Sequence, residues 1–164
     1  MLEEQQLNPT QHNRKAFSSG VAALDRFLQQ QAHQNMRRGV SQTFVLVPAD
    51  APAEIAGFYT LAPAEVALAD LQPADARPLP PYPVPCFRMG RLARDQRWRG
   101  QGIGPLLLGL AVQRCRDAQR SVGGYALIVD AKGEAAQAFY RRHGFRPYRD
   151  TPLSLYLPLG KGLC

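Results

Sequence analysis

Between Asp95 and Val112 the chain reads DQRWRGQGIGPLLLGLAV, which places Gly100, Gly102 and Gly104 within five residues, sets Arg97 and Arg99 just before them, and then continues in apolar helical spacing. A helix N-terminus leaves about four backbone N–H groups without internal partners and carries partial positive charge, so it holds anions when side chains leave the approach clear. Glycines clear that approach, and Pro105 suits the first helical turn, where its missing donor costs little. The flanking arginines favour a doubly charged pyrophosphate over a single carboxylate. A dinucleotide-binding fingerprint would need glycine at 105, and an ATP-binding P-loop would need Gly-Lys-Ser/Thr, so neither nucleotide motif fits.

Other groups with chemical potential are fewer. AFYRRHGF, from Ala138 to Phe145, places Tyr140 on an amphipathic helical stretch and His143 beside a helix-ending Gly144. There the histidine reads as a partner of the helix dipole rather than a proton shuttle. Cys86, Cys115 and Cys164 are far apart and lack metal-ligand spacing, so they are expected to be reduced thiols, with no metal site. Net charge is +7, with 17 arginines among the 20 basic residues. Such a balance favours phosphate-bearing partners, although abundant Ala, Arg, Pro and Gly also accompany a GC-rich genome. The arginines gather in two groups, Arg26 with Arg37 and Arg38, and Arg88, Arg91, Arg94, Arg97 and Arg99.

The elements that must position these residues follow from periodicity. FSSGVAALDRFLQQQAHQNMRRG predicts one or two amphipathic helices, while Ser41–Val47 and Ile55–Leu61 predict an antiparallel hairpin. Ala62–Pro85, with seven prolines, is expected to be a surface excursion, and CFRMGRLAR a strand after it. Ile103, Leu106, Leu107, Leu110, Ala111, Cys115 and Ala118 fit the apolar face of a long helix. Tyr125–Val129 predicts a buried strand, Gly133–His143 a helix capped by Gly144, and LSLYLPL a final strand. At 164 residues the chain is expected to form a single domain, residues 1–164. Its start has no leader-like pattern and no window is apolar enough for a membrane span, so a cytoplasmic, membrane-free protein is expected.

RWRGQG resembles the R/Q-x-x-G-x-G/A signature of GNAT acyltransferases, with GRLARD and AFYRRHGF matching further family segments at the expected distances. The resemblance implies an α+β (α/β) GNAT fold, a mixed, mostly antiparallel central sheet flanked by helices, and acetyl-coenzyme A as co-substrate. It implies that Arg97, Arg99, Gly100, Gln101, Gly102, Ile103 and Gly104 hold the pyrophosphate, that the main chain at Leu92 and Ala93 meets the acetyl and pantetheine portion, and that Tyr140 is the proton donor to the leaving thiolate. A phenol with pKa near about 10 is neutral at pH 7 and can stabilise or protonate a leaving thiolate, whose thiol lies near about 8.5. Many family members carry Asn seven residues before the tyrosine, where this chain has Gly133.

A narrower resemblance joins FSSGVAALDRFLQQQA, SQTFVLV, IAGFYTLA and PVPCFRMGRLARDQRWRGQGIG to GNAT toxins of toxin–antitoxin pairs. It implies acetylation of aminoacyl-tRNA, a ribbon-helix-helix antitoxin and, as often in the family, a homodimer. Arg37, Arg38 and Arg91 are candidate tRNA phosphate contacts, with solvated surface charge as the alternative. No motif places a general base, which suits an α-amine of pKa about 7.7 to 8.0 better than a lysine near 10.4. Two other functions stay open: acetylation of a small or protein amine without toxicity, and a coenzyme A-binding regulator without catalysis.

Overall fold

The computed structural model describes residues 1–160. Seven strands are hydrogen-bonded in the order β1-β2-β3-β4-β5-β7-β6. They are β1 (Leu2–Gln6), β2 (Gln42–Pro48), β3 (Gly57–Val66), β4 (Val84–Arg94), β5 (Ala126–Asp130), β6 (Arg146–Pro147) and β7 (Ser154–Pro158). The helices are α1 (Ala22–Arg26), α2 (Ala32–Arg37), α3 (Pro73–Ala76), α4 (Ile103–Val122) and α5 (Glu134–Arg142). Among the described residues no helix is long and apolar enough to cross a membrane. The described residues form two compact units, 1–62 with 90–111, and 63–89 with 112–160.

In the first unit β1 and β3 flank β2, both antiparallel to it, in registers that include Glu4↔Leu46 and Val45↔Phe58. The hairpin expected at 41–61 is present. A π-helical turn, Phe27–Gln31, joins α1 to α2 and buries Phe27 and Leu28. Around them the core gathers Leu7, Phe17, Val45, Val47, Phe58 and Ala93. Phe17 meets Phe58 edge-on at 5.4 Å and Phe27 stacks on it at 6.4 Å.

Strand β1 escaped sequence reading because LEEQQ has no alternation; it lies at the end of the strand order, where one backbone edge needs no partner strand. It is held instead by its backbone ladder and by the buried His12. The His12 Nδ1 accepts from the Asn8 N–H at 2.9 Å and its Nε2 pairs with Gln5 Oε1 at 2.8 Å, which fixes Nε2 as the protonated nitrogen.

Gly57 opens β3 where only glycine fits. A Cβ there would lie 2.7 Å from a Leu107 methyl, 2.9 Å from the Ala93 carbonyl oxygen and 2.9 Å from an Ile103 methyl. The backbone oxygen cannot rotate away, so Gly57→Ala should overpack this junction by about 1–3 kcal/mol and lower the melting midpoint by roughly 2–10 °C. Circular dichroism on heating measures this; an unchanged midpoint would show that β3 approaches less closely.

In the second unit β5 pairs antiparallel with β7 over five residues, from Ala126↔Pro158 to Asp130↔Ser154, and β6 pairs with β7. Its core contains Val66, Leu71, Val84, Cys86, Ala126, Ile128 and Tyr156. The proline-rich segment is therefore not a plain surface excursion. Strand β3 continues through Pro63 because its ladder with β2 ends at Leu61, so the missing proline N–H costs no bond to that strand. Leu71 is buried, the Gln72 N–H donates to the Tyr156 hydroxyl at 2.9 Å, and Asp75 takes both that hydroxyl and the Arg146 guanidinium.

Candidate active site

In the first unit the chain leaves β4 and makes a 3-10 turn at Gln96–Trp98 before the glycines. Gly100 and Gly102 have φ of +77° and +72°, the left-handed region that side chains disfavour. A Cβ on either would meet nothing within 4 Å, so this face is open. The bonding inside α4 begins with the Leu106 N–H on the Gly102 carbonyl. Among the described residues, the N–H groups of Gly100, Gln101, Gly102, Ile103 and Gly104 make no hydrogen bond. Five successive unpaired donors thus stand together at a helix start, an arrangement whose chemistry suits an anion. The buried face of α4 contains Ile103, Leu107, Leu108, Ala111 and Cys115, whereas Leu106 is 41% exposed.

What precedes the glycines is held by a residue that sequence reading left unplaced. Asp95 is 1% exposed, and its carboxylate accepts from the Ser18 N–H at 3.0 Å and from the Arg97 N–H at 2.9 Å. Arg97 Nε and Nη2 also donate to it, at 3.0 and 3.2 Å. Burial alone would raise this acid's pKa, but the bonds from Arg97 and Ser18 outweigh it and hold Asp95 below the ordinary carboxylate range. The signal available was a short acid directly before a turn, a capping position. Arg99 is exposed, and among the described residues it has no acidic partner.

Leu92 and Ala93 lie on β4 of the same unit, Ala93 buried and Leu92 half-buried. Arg91 lays its guanidinium over Phe27, 4.5 Å from the ring centroid. Arg37 and Arg38, at the end of α2, are exposed and line a small groove with Gln34.

In the second unit the parallel ladder of β4 with β5 has two registered pairs, Phe87↔Leu127 and Arg88↔Ile128. Helix α5 follows Gly133, whose φ of +148° favours glycine, and ends at His143 and Gly144. The His143 Nδ1–H donates to the Phe139 carbonyl at 2.8 Å, the capping role expected of it.

Tyr140 is buried on α5, its ring 5.3 Å from Phe139 and 5.2 Å from Phe145. Burial pushes its phenol up to about 12, and among the described residues its hydroxyl has no hydrogen-bond partner. It is thus a neutral donor with its proton uncommitted. Cys86 and Cys115 are unpaired and buried, and burial raises their thiols to about 11 and about 12, so neither is a ready nucleophile. Cys164 lies outside the described residues. Among the described residues no group of three His, Cys, Asp or Glu could hold a metal ion.

The chain is 39% identical over 142 residues to a tRNA-acetylating toxin of Mycobacterium tuberculosis, covering 87% of this chain and 83% of that protein. Its fold is similar, at a TM-score of 0.89 and 27% identity, to AtaT complexed with acetyl-methionyl-tRNAfMet, covering 96% of this chain and 95% of that one. A tyrosine-to-phenylalanine mutant of the AtaT toxin, bound to the C-terminus of the antitoxin AtaR and acetyl-CoA, is similar at a TM-score of 0.81 and 26% identity, covering 96% and 93%. Residues 40–147 match the acetyltransferase (GNAT) domain model, and with these likenesses across nearly its whole length the chain belongs to the GNAT acetyltransferase family.

Proposed function

We propose that this chain is an acetyl-coenzyme A-dependent N-acetyltransferase whose acceptor is the α-amine of aminoacyl-tRNA, acting as a translation-blocking toxin restrained by a ribbon-helix-helix antitoxin. The observation that carries the reading is the 39% identity to a tRNA-acetylating toxin over most of both chains. The likeness to AtaT structures, one with acetyl-methionyl-tRNAfMet and one with an antitoxin segment, supports acceptor and partner. Residues 1–164 act as one GNAT domain, and the working form is a cytoplasmic homodimer.

The five unpaired N–H groups from Gly100 to Gly104 fit a pyrophosphate, which has enough acceptor oxygens to satisfy them. Bound acetyl-coenzyme A supplies the activated acetyl thioester. Gly100, Gln101, Gly102, Ile103 and Gly104 hold its pyrophosphate through the backbone, and Arg97 and Arg99 belong to the same turn. The main chain at Leu92 and Ala93 orients the acetyl and pantetheine end. Tyr140 directs its O–H at the departing sulfur as negative charge develops there; burial keeps the phenol protonated while making it a weaker acid. With a partly unprotonated α-amine at neutral pH, the acceptor needs no strong base from the chain.

Arg37, Arg38 and Arg91 serve as phosphate contacts for the acceptor stem. Changing Arg37 and Arg38 together to alanine should raise KM for charged tRNA about 10-fold at moderate salt and make its salt dependence shallower by about two counterions. Coenzyme A affinity should not move; equal KM values across salt concentrations for both proteins would remove these residues from the interface. The acceptor class itself is tested by offering charged tRNA, polyamines and peptide amines with labelled acetyl-coenzyme A. Transfer to charged tRNA is expected, and transfer only to one of the others would replace the reading.

A further inference from the structure

Resting on the reading of the glycine turn as the pyrophosphate site, with Arg99 as its side-chain cation, we infer that Arg97 is not a phosphate contact but a positioning residue that acts through Asp95. Arg97 commits Nε and Nη2 to the two oxygens of the buried Asp95, and its Nη1 lies 3.7 Å from Glu54 Oε1. Glu54 also accepts from Trp98 Nε1 at 3.2 Å. One guanidinium therefore faces two carboxylates, and an arriving phosphate at Arg97 would meet net negative charge.

The open side of Arg97 borders a groove of about 360 Å³ with Glu54, Ala53, Pro52 and Asn13, and no glycine of the turn lines that groove. Arg99, two residues on, has no acidic partner among the described residues and stands directly before Gly100.

Asp95 in turn ties three segments together. It receives the Ser18 N–H, its own N–H donates to the Ala56 carbonyl at 2.8 Å, and the Gln96 N–H donates to the Ser18 carbonyl at 2.9 Å. The fork of Arg97 closes this clasp by satisfying both Asp95 oxygens at once, which a single point charge could not do. The clasp sets where the 3-10 turn ends, and so where the unpaired N–H groups begin.

The test is calorimetric affinity for coenzyme A at low and high salt, using the full chain and the variants Arg97→Gln, Arg99→Gln, Asp95→Asn and the double Asp95→Asn/Arg97→Gln. Arg99→Gln should weaken binding about 10-fold at low salt and flatten the salt dependence. Arg97→Gln should weaken binding several-fold with the salt dependence of the unaltered protein, and should cost nothing further once Asp95 is Asn. A salt dependence flattened as in Arg99→Gln, or the same loss with and without Asp95, would overturn the inference.

If Asp95→Asn fails to fold, the salt dependence of Arg97→Gln alone still decides. Hydrogen exchange without coenzyme separates the inference from the reading beneath it. Arg97→Gln should speed exchange at the Ser18 amide while Arg99→Gln does not, whether or not coenzyme A binds; equal, slow exchange in both would refute the clasp. Failure of the unaltered protein to bind coenzyme A would refute the pyrophosphate reading instead.

Discussion

Tyr140→Phe should lower acetyl-transfer turnover by about 10²- to 10⁴-fold, the range for losing a positioned general acid, while the Kd for acetyl-coenzyme A stays within about twofold. The substitution removes one oxygen and keeps the ring that packs on Phe139 and Phe145. Because the hydroxyl has no hydrogen-bond partner among the described residues, its removal breaks no fold contact. The pH profile should agree. Burial lifts the phenol to about 12, so it stays protonated while the rate climbs through the α-amine's own pKa near about 7.7 to 8.0.

Linkage has a fixed sign here. A raised folded-state pKa means that burying the neutral phenol contributes stability fully below about 10, the unfolded value, and that this stability is lost as pH rises through about 12. The phenylalanine variant should accordingly resist alkaline unfolding better. Steady-state rates with parallel calorimetry check the kinetic claim. Unchanged turnover, or lost coenzyme binding in a folded variant, would remove Tyr140 from its role.

Gly102→Val should weaken acetyl-coenzyme A binding about 5- to 150-fold, the equivalent of about 1–3 kcal/mol of left-handed backbone strain in a side-chain-bearing residue. At φ of +72° the valine must either bear that strain or rotate to negative φ, which swings the Gly102 and Ile103 N–H groups off their common focus. Since nothing lies within 4 Å of the added Cβ, no collision with the fold contributes. Gly109→Ala on the same helix, also with open space around it and no positive φ, is the control. It should leave affinity unchanged and stabilise α4 by about 0.5–1 kcal/mol. Equal affinities for the valine variant and the unaltered protein would sink the backbone-donor assignment.

The parts legible in the sequence were those where one local rule dominates. The apolar period of α4, the glycines before it and Gly144 after α5 each state a backbone requirement that no distant contact needs to supply. The parts that escaped depend on tertiary partners. β1 has a polar sequence and exists through its ladder with β2. Leu71 and Val66 look like loop residues until Tyr156 and Val84 are placed against them. Leu106 fits the helical period yet is exposed, because a period defines a face and not the width of what covers it. Asp95 shows the same limit within the candidate site. Its type suits a turn cap, but its hold on Ser18, 77 residues away, appears only in three dimensions.

The central claim is tested most directly by incubating the protein with radiolabelled acetyl-coenzyme A and bulk charged tRNA, beside uncharged tRNA and the Tyr140→Phe protein. Label should appear on charged tRNA alone, be released when the aminoacyl ester is hydrolysed, and fall to background with Tyr140→Phe. Equal labelling of uncharged tRNA, or none on charged tRNA from a protein that binds acetyl-coenzyme A and acetylates another amine, would contradict it.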